Sequence, residues 1–121
     1  MDIEKLKNLD KLPPDIRREF ALLANKYGQK KKQSEIRDDF MAFVKHMWPD
    51  FIEGSHHKRV AKKFNDIANG KIKRVIINMA PRHTKSEFAS YLLPAWMVGR
   101  NPKLKIIQST NTTELSVRFG R

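Results

Sequence analysis

The β-branched run Val75-Ile76-Ile77 leads directly into Ala80-Pro81-Arg82-His83-Thr84-Lys85-Ser86, and an amphipathic stretch opens at Glu87. The order reads as a buried strand, a tight turn, and a helix whose first amides point back at the turn. At such a helix start, unpaired backbone donors and the positive end of the helix dipole face one spot, which suits a phosphate group. Lys85 and Ser86 match the end of the Gly-x-x-x-x-Gly-Lys-[Ser/Thr] pattern, with Lys placed for the outer phosphates and the hydroxyl for magnesium. Met79 and Thr84 stand where the two glycines belong, although glycine is favoured there for its positive φ and close backbone approach. The residues alone leave two readings open: a nucleotide-phosphate site, or an ordinary helix N-terminus with Ser86 near the cap and Lys85 in solvent.

Hydrophobic spacing places the other elements. Residues 2–9 are expected as a short helix. Pro13-Pro14 opens a second helix that runs to about Tyr27 and ends at Gly28. Gln29 to Gln33 reads as a basic linker, and Ser34 as the cap of a third helix with Ile36, Phe40, Phe43, Val44 and Met47 on one face. Trp48-Pro49 ends that helix, because the residue before proline is pushed out of helical geometry. Phe51 to Ser55 reads as a loop. His57, Val60, Ala61, Phe64, Ile67 and Ala68 then recur at helical spacing up to Gly70.

Lys73 to Met79 is expected as a strand buried on both faces of a parallel sheet. The helix after the loop spans about Lys85 to Val98, with Phe88, Tyr91, Leu92, Ala95 and Trp96 inward and Pro94 kinking it. A second strand, Lys105 to Ser109, precedes a final helix capped by Asn111, with Glu114 three residues on in a capping-box arrangement. Strand, helix, strand, helix at these connection lengths points to a right-handed parallel βαβ unit.

With 121 residues, the chain accommodates one modest core and not two full domains. Its formal net charge of +12 points to a polyanionic partner, nucleic acid before membrane, since no extended apolar or signal-peptide pattern is present. Zero cysteines exclude disulfides and cysteine metal sites.

The passage Ile76-Ile77-Asn78-Met79-Ala80-Pro81-Arg82-His83-Thr84-Lys85-Ser86-Glu87, then Leu93-Pro94-Ala95-Trp96, then Gly99-Arg100-Asn101-Pro102, resembles the start of the ATPase domain of phage terminase large subunits. That family carries a deviant loop with Pro-Arg ahead of the Lys-[Ser/Thr] pair, a Pro-Ala-Trp segment in the following helix, and a Gly-Arg-x-Pro turn before the second strand. The resemblance covers roughly residues 48–121. It implies an α/β fold: an incomplete P-loop NTPase-type parallel sheet with flanking helices, preceded by an α-helical segment. It divides the chain into a helical lead-in, residues 1–47, and the start of the ATPase domain, residues 48–121.

The resemblance implies an ATP-driven motor that moves double-stranded viral DNA into procapsids, using ATP and magnesium, with a C-terminal nuclease that cuts concatemers. Its partners would be the portal protein, the terminase small subunit and further copies in a homo-oligomeric ring. It would act in the host bacterial cytoplasm, transiently at the portal, with no membrane role. Pro81, Arg82, His83, Thr84, Lys85 and Ser86 would bind nucleotide: Lys85 on the β,γ-phosphates, Ser86 on magnesium, and the amides of His83 and Thr84 completing the cradle. Arg82 would approach the γ-phosphate, and Pro81 would stiffen the turn. An ATPase of this class also needs a strand ending in an acid that holds magnesium and a second carboxylate that activates water. After the loop the carboxylates are Glu87 and Glu114, which fit dipole and capping roles. The expectation is therefore an N-terminal piece of a longer enzyme, lacking the acidic strand and the nuclease and inactive alone.

Several residues stay open. His56 and His57 make a poor metal pair, since neighbours on a helix point about 100° apart and no third ligand adjoins them. A place beside the nucleotide base and a core or solvated role both remain for them. Trp48 and Trp96 read as core residues rather than base-stacking ones, and Lys30 to Lys32 as a solvated linker rather than a DNA contact. Arg118 and Arg121 are open between DNA and a neighbouring subunit. Two rival readings stand beside the terminase one: a fragment of another P-loop helicase or translocase, and a non-enzymatic basic module that binds DNA by charge.

Overall fold

The structure is a computed structural model and describes residues 13–119. The helix expected over residues 2–9, and Arg121, lie outside that range. The chain divides into two compact units, one ending at Ser34 and the other beginning at Glu35.

Helix α1 spans Pro14–Asp38, with proline in its first turn beside Asp15 and Arg37 in its last. Each suits its place: proline pre-sets helical φ, and the charges complement the dipole. Gly28 does not end this helix, residues 29–33 are not a linker, and Ser34 is not a cap. An interior glycine costs only about 1 kcal/mol relative to alanine, which Lys, Gln, Leu and Ala neighbours offset.

The break comes instead at Asp39, whose backbone is extended (φ −124°, ψ 125°) and whose Oδ2 accepts from the Ala42 amide at 2.8 Å, opening α2, Phe40–Met47. Asn65 of α3, Ser55–Ala68, clamps this start from across the interface. Its Oδ1 accepts from the Phe40 amide at 2.9 Å, and its Nδ2 donates to Asp39 Oδ1 at 2.7 Å. As expected, α2 stops ahead of Pro49, and α3 runs to the neighbourhood of Gly70, which takes φ +73°.

Phe40 is the hub of the core. It is fully buried and meets Phe64, Phe88 and Trp96 edge-on at 5.1, 5.6 and 5.4 Å between ring centroids. Met41, Val44, Ala61 and Leu92 complete the cluster. The Trp96 indole N–H donates to the Ile36 carbonyl at 3.0 Å. Trp96 is thus a core residue as expected, whereas Trp48 stays 40% exposed against Phe51.

The expected P-loop-type parallel sheet is absent, and the architecture is helical. Among the described residues, 73–79 and 105–109 form neither helix nor strand, and no strand pairing forms. Ile77 packs on the core while Ile76 is 89% and Ile107 96% exposed. A parallel ladder gains its stability from neighbouring strands and helices over both faces. Two such segments bury too little to hold a sheet.

After the loop, the helix begins at Lys85, widens into a π-helical turn over Glu87–Leu92 and continues as α4, Leu93–Arg100. Pro94 explains the widening: its ring would clash with the carbonyl four residues back, and it has no N–H to offer that oxygen. The oxygen belongs to Ser90, and the Gln108 side-chain amide donates to it at 2.6 Å. The final helix, α5, spans Thr113–Phe119 and is capped by Thr112, whose hydroxyl accepts from the Leu115 amide, rather than by Asn111 with Glu114.

Candidate functional site

Residues 81–84 turn the chain between the irregular segment before them and the helix. The turn uses the left-handed region at two residues that are not glycine, Arg82 (φ 64°) and Thr84 (φ 58°). For a β-branched residue this costs about 1–2 kcal/mol, because Cβ crowds the following carbonyl. Thr84 is the position that the sequence pattern assigns to glycine, and its backbone takes the conformation glycine would take. Left-handed residues along a turn curl the main chain so that successive amides converge on the concave side, which makes an anion-binding nest.

The concave side is open. A concavity of about 400 Å³ is lined by Ala80, Pro81, Arg82, Thr84, Lys85, Ser86 and Glu87. Pro81, Arg82, His83, Lys85 and Ser86 are exposed, and Thr84 is half-buried. Five of the six residues expected to bind nucleotide therefore line one cavity; His83 does not, and its ring instead braces the turn, Nδ1–H donating to the Pro81 carbonyl at 3.0 Å. The single carboxylate in the lining, Glu87, accepts from Arg118 Nη2 at 3.1 Å, which assigns Arg118 a partner on the loop helix. The donor set of guanidinium, ammonium, hydroxyl and helix-start amides fits a triphosphate tail.

Behind the loop the space is filled rather than hollow. Val60, Ile77, Met79 and Phe88 close it, with His57 among them. His57 is buried, its ring set against Phe51 at 4.8 Å and Phe88 at 5.2 Å. Its Nδ1 accepts from the Gly54 amide at 2.9 Å, and its Nε2 lies 2.8 Å from Thr84 Oγ1. Both nitrogens are engaged and the ring is buried, so His57 is a core residue under the loop. Burial, then the neighbouring His56, and more weakly His83, hold the His57 pKa below its ordinary value, against a smaller opposing pull from Glu53. Among the described residues no His, Asp or Glu cluster is arranged to hold a metal ion.

The link from His57 to Thr84 was not legible in the sequence, where the two residues lie 27 positions apart. The helical spacing gave only that His57 faces inward.

No described helix is long and apolar enough to cross a membrane. No protein-family model, curated protein sequence or solved structure matches the chain.

Proposed function

We propose that the loop Pro81 to Ser86 binds the phosphates of ATP with magnesium, and that the chain serves an ATP-driven translocation of double-stranded DNA of the terminase kind. The observation that carries the reading is the left-handed backbone at Arg82 and Thr84. A strained, non-glycine turn that opens onto a cationic concavity is where function is expected to hold strain in place. In this reading Lys85 neutralises the outer phosphates, Arg82 reaches the γ-phosphate, and Ser86 holds magnesium, which supplies charge neutralisation when bound. The amides of His83 and Thr84 complete the cradle.

Basic side chains support the DNA half of the reading. On α3, Lys58, Arg59, Lys62 and Lys63 are all exposed, on the side opposite the buried His57, Ala61 and Phe64. Two adjacent i, i+4 pairs of like charge weaken a helix, so a polyanion laid across them stabilises it. Portal protein, small subunit, ring assembly and action at a procapsid in the bacterial cytoplasm belong to the same proposal and rest on the sequence resemblance.

The test is titration calorimetry of Mg·ATP into the protein and into Lys85→Ala. Saturable binding that Lys85→Ala weakens by about tenfold or more, the weight of a charge-assisted contact, supports the reading. Equal binding in both proteins, or none, overturns it. Salt-dependent DNA binding with no response to ATP would favour the basic-module alternative.

A further inference from the structure

We propose that His57 is a positioning residue that latches Thr84 in its left-handed conformation and so keeps the phosphate loop formed before nucleotide arrives. The inference rests on the nucleotide reading for its purpose, but the latch itself is a matter of hydrogen-bond direction. The Gly54 amide, 2.9 Å from Nδ1 of His57, can only donate, so Nδ1 accepts and the imidazole proton sits on Nε2. Thr84 Oγ1 spends its proton on the His83 carbonyl at 2.7 Å, so toward His57 Nε2, at 2.8 Å, the same oxygen accepts. The order is therefore fixed: Gly54 N–H to His57, His57 N–H to Thr84, Thr84 O–H to the His83 carbonyl.

Each end of that chain is held. A Cβ at Gly54 would come within 2.8 Å of the His56 ring and 3.4 Å of His57 Nδ1, so the residue before α3 is free of a side chain where the histidines need the space. The imidazole is buried, with ring contacts to Phe51 at 4.8 Å and Phe88 at 5.2 Å. At the far end the threonine hydroxyl ties its own side chain to the preceding carbonyl, which restrains the peptide that enters the strained residue. A residue in a sparsely populated backbone region persists only when its surroundings over-determine it. The latch supplies that determination and accounts for threonine at a position where glycine would meet the φ requirement alone.

Substitutions at His57 separate the latch from general packing. Asparagine keeps an acceptor for the Gly54 amide but is too short to reach Thr84, whereas the longer glutamine amide reaches it. His57→Asn is expected to weaken Mg·ATP binding by about tenfold, the weight of a hydrogen bond that presets the loop. His57→Gln should recover part of that loss. In the Thr84→Gly background, where no hydroxyl remains to be latched, His57→Asn should change the affinity by no more than about twofold. An equal loss in both backgrounds would assign His57 to packing only and overturn the proposal.

Nitrogen NMR of the imidazole tests the latch without nucleotide. The expected spectrum is the Nε2–H tautomer with a slowly exchanging proton that Thr84→Val makes fast. An Nδ1–H tautomer, or a fast-exchanging Nε2 proton in the native chain, overturns it. If Mg·ATP fails to bind at all, the nucleotide reading falls while this spectrum still decides the latch.

Discussion

Thr84 carries a Cβ at a backbone position that disfavours one, and its hydroxyl is what makes the position tenable. Glycine takes the same φ without cost, so Thr84→Gly should still bind Mg·ATP in a calorimetric titration; loss of binding would contradict the alignment of Thr84 with the motif glycine. His57 sets a pH dependence. Its pKa is held below the ordinary 6.5 by burial first, with His56 and His83 adding to the effect and Glu53 opposing it. The unfolded chain therefore binds a proton at higher pH than the folded one, and stability falls as the pH drops from about 6.5 through the folded value. Urea midpoints should decline across that window in the native chain and less steeply in His57→Gln. At this scale the sequence was informative about the helix start at Lys85 and Ser86, because that start follows from neighbours in the chain. It was silent about the latch, because that contact joins residues whose proximity only the packing of α3 creates.

Helix starts and stops show where local signals suffice. Trp48-Pro49 and Gly70 ended helices where their backbone restrictions require it. Gly28 did not end α1, because one flexible residue among strong helix formers is outweighed. The turn before Pro94 is π-helical rather than a simple kink, and the Ser90 carbonyl that Pro94 cannot serve accepts from Gln108, a contact no local signal announces. The junction of α2 and α3 rests on Asn65, which satisfies both the Phe40 amide and the Asp39 carboxylate. Asn65→Ala leaves a part-buried amide without its acceptor and should cost about 1–3 kcal/mol of unfolding free energy. Denaturant unfolding measures it, and an unchanged midpoint would remove Asn65 from the account.

For the molecule as a whole, the core is a cluster of aromatic rings from α2, α3 and the helix after the loop, centred on Phe40. Phe40→Ala should destabilise the protein by about 3–5 kcal/mol, seen as a large fall in the thermal midpoint; a small fall would mean that the cluster is not the stabilising centre. The inward faces of these helices were legible in part from their spacing: Phe40, Val44, Phe64, Phe88, Leu92 and Trp96 are buried, whereas Met47, Tyr91 and Ala95, expected on the same faces, are exposed. The sheet was not a sound inference, because β-branched composition expresses a local preference and not the partners a strand needs, and 73–79 and 105–109 form no strand. With a net charge of +12, binding of any polyanion by charge alone is the natural rival to a shaped phosphate site. Amide NMR during a Mg·ATP titration at near-physiological salt separates the two most directly. The account predicts saturable shifts concentrated at residues 82–87, with the amides of His83 to Ser86 moving most. Shifts spread over Lys58, Arg59, Lys62 and Lys63 with the loop unmoved would contradict it.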